Sequence, residues 1–144
     1  MALASTYPFV IAETVTFRDL DVLGHVNNAV YFTWFETART RYLSELLGID
    51  DPRKLPVILA ETSCKFRAPS FYAEAIEIGC GVSRLGGKSF DLVYEVAAAG
   101  GRSLAIGTSV LVYFDYARDS TVSIPDTFRR AVAARQGQWM PPNG

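Results

Sequence analysis

Between a β-like run and a long apolar segment the chain places Arg18-Asp19-Leu20-Asp21-Val22-Leu23-Gly24-His25-Val26-Asn27-Asn28. Two carboxylates, an imidazole and two amides thus share eleven positions. A carboxylate held in such a segment can activate a water or attack a carbonyl itself. Gly24, three residues after Asp21, lets a ligand approach the backbone closely. The free amides and dipole at the start of the following helix would stabilise negative charge, including the oxyanion formed when a thioester carbonyl is attacked. These residue types point to a hydrolytic or acyl-transfer site without naming its substrate. The same residues also compose an ordinary capped turn, because Asp, Gly and Asn are common turn formers.

The elements that must position this segment follow from periodicity. Phe9 to Arg18 alternates, with Phe9, Ile11, Val15 and Phe17 on one side, and predicts a half-buried strand. From Ala29 to Leu47 the period changes: Tyr31, Trp34, Phe35, Ala38, Tyr42 and Leu46 recur at helical steps. Asn27 or Asn28 is the expected N-cap and Gly48 the expected stop. Val57 to Arg67 predicts a second strand. Ile76, Ile78, Cys80 and Val82, then Phe90, Leu92, Tyr94 and Val96, then Leu104 to Phe114 predict three more, parted by Gly86-Gly87 and Gly100-Gly101. Pro125-Asp126 opens a short helix to about Arg135, and Trp139 to Gly144 reads as a loose tail. One long apolar helix and one run of antiparallel strands bury each other when a curved sheet wraps the helix, an α+β architecture.

Composition narrows the partners. With 144 residues the chain fits a single domain, its core about 8–134 and a tail over 135–144. Hydrophobic residues make up 49% and charged residues 20% of the chain. The net charge is -1 with the signs well mixed, so no basic stripe offers nucleic acid a track. One histidine and two cysteines, without a CxxC pair, give no metal-binding spacing. Neither a signal-peptide pattern nor a bilayer-length apolar stretch is present in the sequence, so a cytoplasmic protein with no membrane partner is expected.

At these residues the chain resembles a known family. Phe17-Arg18-Asp19-Leu20-Asp21-Val22-Leu23-Gly24-His25-Val26-Asn27-Asn28, with Tyr31, Glu36 and Ala38-Arg39 after it, looks like the 4-hydroxybenzoyl-CoA thioesterase-like hotdog proteins. Phe66-Arg67-Ala68-Pro69, Arg84 to Phe90, Val112 to Asp115 and Ile124-Pro125 extend the likeness in the family's order over roughly 8–134. Ser70-Phe71-Tyr72-Ala73-Glu74 departs from it, standing where a Gly-Asp turn is usual. The resemblance implies a hotdog fold, a homodimer or homotetramer with sites at the dimer interface, and acyl-CoA hydrolysis without metal or bound cofactor. It carries the catalytic carboxylate to Asp21, as nucleophile or general base, and the carbonyl-polarising helix amide to the backbone of Asn28.

Around that centre, His25 is a candidate to orient water or touch substrate, and Gly24, Asn27 and Tyr31 to line the substrate site. Glu61, which on simple alternation shares a face with Val57 and Leu59, is a second-choice carboxylate, because an acid on an apolar face needs a partner or a task. Arg84 and Lys88 are candidates to pair the phosphates of coenzyme A. The expected activity is hydrolysis of an aromatic or fatty acyl-CoA. The alternatives are a non-catalytic acyl-CoA-binding hotdog module and an enoyl-thioester hydratase or dehydratase of the same fold.

Overall fold

Asn27 caps the long helix with its own side chain, whose Oδ1 accepts from the Ala29 amide at 3.0 Å. The helix, α1, runs Asn28–Leu47 and stops at Gly48, whose φ of 64° lets the chain turn where a side chain would be strained. A computed structural model describes residues 2–142; Met1, Asn143 and Gly144 lie outside the described residues. Tyr31, Trp34, Phe35, Ala38, Tyr42 and Leu43 are buried along α1, in keeping with the helical stripe read from the sequence.

The strands are β1 Phe9–Thr14, β2 Val57–Phe66, β3 Ala75–Leu85, β4 Ser89–Ala98, β5 Ser103–Asp115 and β6 Ser120–Thr121, followed by helix α2 Asp126–Gln136. The main sheet is antiparallel, in the order β1-β3-β4-β5-β2, and the short β6 pairs with β5. Its inner face, with Ile11, Ile78, Cys80, Leu92, Val96 and Leu111, packs on α1 in one core. This is the hotdog arrangement, a curved sheet around a central helix.

Three details differ from the simple reading of the sequence. Pairing of β1 ends at Thr14, and Phe17–Asp19 winds into a short 3-10 turn, with Asp19 Oδ2 accepting from the Thr16 amide at 2.8 Å. Phe17 therefore swings out to 81% exposure instead of joining Ile11 and Val15 in the core. In β2 the register shifts between Leu59 and Glu61, so that Leu59 faces Leu111 while Glu61 faces Val110. A bulge of this kind moves the following side chains to the opposite face. Glu61 thus leaves the apolar face of Val57 and Leu59, and the residue is exposed.

The third difference is that the expected tail carries structure. Trp139 seats beside Tyr7 on the outer face of the sheet, ring centroids 5.9 Å apart, and its Nε1 donates to the Thr6 carbonyl at 2.7 Å. Side chains in place of Gly79 or Gly81 would strike these rings, a Cβ falling 2.6 Å from Tyr7 and 2.5 Å from Trp139.

Gln136, at the end of α2, finishes the sheet. β1 covers β3 only as far as Cys80, leaving the outward peptide groups of Val82 without a strand partner. The Gln136 side chain replaces it, accepting from Val82 N at 2.8 Å and donating to Val82 O at 2.9 Å, and it also accepts from Tyr42 Oη at 2.7 Å. Gln136→Ala should cost about 2 kcal/mol in chemical denaturation, since it strands three polar groups at a partly buried edge. A variant as stable as the wild type would remove this role.

Candidate active site

The polar segment folds as a tight, self-bonded loop. Leu20 and Val26 form an isolated bridge, and the Asp21 amide donates to the His25 carbonyl at 2.9 Å. Gly24 makes the reversal with φ of 86°, and its amide donates to Asp21 O at 3.1 Å. The Asp21 carboxylate is held from both sides: Oδ1 accepts from the Leu23 amide at 2.9 Å, and Oδ2 lies 3.5 Å from His25 Nδ1. Both side chains keep contact with solvent, Asp21 at 27% and His25 at 33% exposure. A carboxylate facing an imidazole fixes the ring's orientation.

The loop delivers these groups to the start of α1. Asn27 spends its side chain on the cap, and its amide donates to the Asp19 carbonyl at 2.9 Å. The amide of Asn28, first in the helix, has no acceptor among the described residues, as expected for a first-turn donor. A hollow of about 260 Å³ opens in front of it, lined by His25, Val26, Asn28, Tyr31, Phe66, Arg67, Ala68 and Pro69.

The far wall of the hollow is the chain that leaves β2. Val26 N donates to Ser70 O at 2.8 Å, His25 bridges Phe71, and the fully buried Ser70 hydroxyl meets Tyr31 Oη at 2.8 Å. Phe66 stands edge-on to Tyr31 with centroids 5.2 Å apart. In the sequence Ser70 is only a departure from a familiar turn, yet here it ties the polar loop, the helix and the β2 exit together. In the same stretch Ala73 holds φ of 67°, a conformation that suits glycine. Ala73→Gly should raise stability by about 0.5–1 kcal/mol, the released strain exceeding the added freedom of the unfolded chain. Thermal denaturation checks the sign, and a fall in the midpoint would rule out strain at this position.

Of the residues singled out in the sequence, His25, Asn28 and Tyr31 line the hollow, with Asp21, Gly24 and Asn27 in the loop and cap that frame it. Glu61 is not among its lining. Arg84 and Lys88 flank the β3–β4 turn, at the opposite end of β3 from this loop. Arg84 is engaged there with Asp91, Nε to Oδ2 and Nη2 to Oδ1 both 2.9 Å, whereas Lys88 is exposed. Burial pushes the Cys64 thiol up to about 11, so it stays protonated and poorly nucleophilic at neutral pH. Among the described residues no group of three or more His, Cys, Asp or Glu side chains is gathered to hold a metal ion, and no helix is long and apolar enough to cross a membrane.

A family model for the thioesterase-like superfamily matches residues 15–132, from just after the first strand through most of α2. The chain belongs to the thioesterase-like superfamily. A superfamily structure, a Thermus thermophilus thioesterase complexed with coenzyme A and Zn, is 30% identical with a TM-score of 0.84, covering 92% of this chain and 96% of its own. A gentisyl-coenzyme A thioesterase is 28% identical with a TM-score of 0.76, covering 86% of this chain and 99% of its own. The uncharacterized Bacillus subtilis (strain 168) protein YsmA is 25% identical over 122 residues, 85% of this chain and 83% of its own.

Proposed function

We propose that this thioesterase hydrolyses an aromatic or fatty acyl-CoA, with Asp21 as nucleophile or general base. One observation carries the reading: the free amide of Asn28 and the His25 partner of Asp21 face one hollow. The amide and the helix dipole hold the carbonyl oxygen as it gains charge. The Asp21 carboxylate attacks the carbonyl carbon or takes a proton from the attacking water, and the thiolate of coenzyme A leaves. His25 holds the carboxylate in place, and Tyr31, braced by Ser70, closes the floor. Arg67 lines the mouth, where it serves as a cation for the phosphates of the ligand.

A second copy completes the site. The β2 edge spans ten residues and exposes Ile58, Leu59 and Phe66, and a long apolar edge strand is a template for pairing. Two-fold antiparallel joining of β2 sets the Val57 end of one copy beside the Phe66 end of the other. The Lys88 carbonyl accepts from the Tyr113 amide and Tyr113 pairs with Val57, so the turn bearing Lys88 and Arg84 approaches the site from the partner. The test is thiol release from a panel of aromatic and aliphatic acyl-CoAs by the wild type beside Asp21→Asn. Release that depends on Asp21 supports the reading; no release across the panel from folded protein refutes it.

A further inference from the structure

The wall that faces the polar loop is itself held from behind. Pro69 lines the hollow, and Ser70 and Phe71 take up the loop through the Val26 amide and the His25 bridge. Yet the stretch from Pro69 to Glu74 lies between β2 and β3, outside either strand. Of its six side chains only Ser70 is buried; Phe71 and Tyr72 are 46% and 63% exposed. Ala73, at φ of 67°, holds a conformation that persists only where the surroundings impose it. Two backbone bonds tie the far end to the chain after β1, Ala73 N to Val15 O at 3.0 Å and Val15 N to Glu74 O at 2.9 Å. Core packing does not set the rest of its shape.

Arg102 does. It ends the β4–β5 connection, just before β5 begins at Ser103. Its guanidinium spans the segment: Nη1 donates to the Pro69 carbonyl at 3.2 Å and Nη2 to Glu74 Oε2 at 2.6 Å. The other carboxylate oxygen, Oε1, accepts from the Phe71 amide at 2.8 Å. Glu74 thus closes the segment on itself, and Arg102 fastens both ends to the start of β5. Two separate acceptors suit the planar fork of an arginine, which a lysine lacks. The pair is partly in solvent, Arg102 at 44% and Glu74 at 25% exposure, and such pairs add little to stability. Geometry weighs more, because a misplacement of about 1 Å at a reacting group can cost about a hundredfold in rate. Burial, above all, pushes the Tyr31 phenol up; Glu74 adds to the rise and Arg102 opposes it, so both charges lie within electrostatic reach of the floor of the hollow.

We propose that Arg102 is a positioning residue for the hydrolysis: with Glu74 it latches the Pro69–Glu74 segment, and through that segment it holds Asp21 and His25 in place beside the Asn28 amide. The inference rests on the acyl-CoA reading above. Arg102 is not among the lining of the hollow, so it acts through the segment. The path is continuous. Arg102 fixes Pro69 and Glu74; Ser70 and Phe71, between them, fix Val26 and His25; and His25 faces Asp21.

The test compares the wild type with Arg102→Met, Glu74→Gln and the double variant, all as the full chain. The substrate is the acyl-CoA of the panel above that the wild type cleaves fastest, benzoyl-CoA and octanoyl-CoA included. Each single variant should lower kcat by about tenfold or more and leave KM within about threefold. The double variant should be no slower than the worse single one, since both changes open the same latch. The melting temperature should fall by no more than about 3 °C. Amide hydrogen exchange supplies a readout apart from turnover. The Val26 amide should exchange about tenfold faster, while those of Ile78 and Leu92 in the sheet stay within about threefold of the wild type. Should Arg102→Met fail to fold, Glu74→Gln carries the same measurements. An unchanged kcat with Asp21-dependent release overturns the inference and leaves the hydrolase reading standing. A raised KM with kcat unchanged would make Arg102 a cation for the phosphates of coenzyme A and overturns it too. So does faster exchange at all three amides, which marks a general loss of stability. No release by the wild type across the panel refutes the hydrolase reading itself, and with it the role assigned to Arg102.

Discussion

Asp21→Asn should lower turnover by about a thousandfold or more while leaving the fold intact, as expected for loss of a nucleophile or general base. The substitution is nearly isosteric. The amide oxygen can still accept from the Leu23 amide, so the turn through Gly24 keeps its shape. What is lost is the charge that faces His25 and the basicity or nucleophilicity of Oδ2. Thiol release gives the rate, and far-UV circular dichroism with thermal denaturation gives the fold. Turnover within tenfold of the wild type would remove Asp21 from the chemistry. A single turnover in ¹⁸O-water tests the nucleophilic role of this carboxylate. Label found in Asp21 marks an anhydride hydrolysed at the aspartyl carbon; label only in the released acid means that water attacked the acyl carbon, of the thioester or of the anhydride.

Why Asp21 is legible in the sequence, and the meeting of Arg39 with Tyr94 is not, has a physical explanation. Asp21, Gly24, His25 and the cap at Asn27 lie within seven residues, so local geometry brings them together once the loop closes. Helix α1 is equally plain, because its apolar period, its Asn cap and its Gly stop all agree. The strands β3, β4 and β5 are marked by alternation and glycine turns, and their observed limits differ from those expected by a residue or a few. By contrast, Arg39 and Tyr94 are more than fifty positions apart and meet only across the helix–sheet interface. Periodicity shows that Tyr94 faces inward, but not that its hydroxyl meets Arg39 and Ser109 there.

Where alternation misleads, the cause is backbone irregularity. Strict alternation puts Phe17 and Glu61 on apolar faces, and a 3-10 turn and a bulge move each of them to solvent. Neither device has a strong local sequence mark: Phe17-Arg18-Asp19 contains no Gly or Pro, and Ala60 at the bulge is an ordinary strand residue. Ser70 is hidden for another reason. Its hydroxyl works by reaching Tyr31, thirty-nine positions away, and its carbonyl by reaching Val26. Trp139 reads as tail because its seat, the outer sheet face over Gly81, is built from residues far along the chain.

Gly107→Ala should destabilise the protein by about 3 kcal/mol, lowering the melting temperature by roughly 6–12 °C for a chain of this size. Glycine inside a strand often marks a place where something approaches the backbone closely. Here that object is Phe35, whose ring atoms Cε2 and Cζ would lie 2.3 and 2.4 Å from a Cβ at position 107. The ring has no easy retreat. It is fully buried, and it stacks on Tyr94 with centroids 4.5 Å apart and planes 12° from parallel. Gly107 pairs with Tyr94 across the β4–β5 ladder, so glycine, tyrosine and phenylalanine form one block between sheet and helix. Pushing Phe35 aside must shift either α1 or the Tyr94 ring, and with them the hydroxyl that lies near Arg39. Denaturant titration of Gly107→Ala reads the stability. A stable variant would mean that the core yields locally around Phe35.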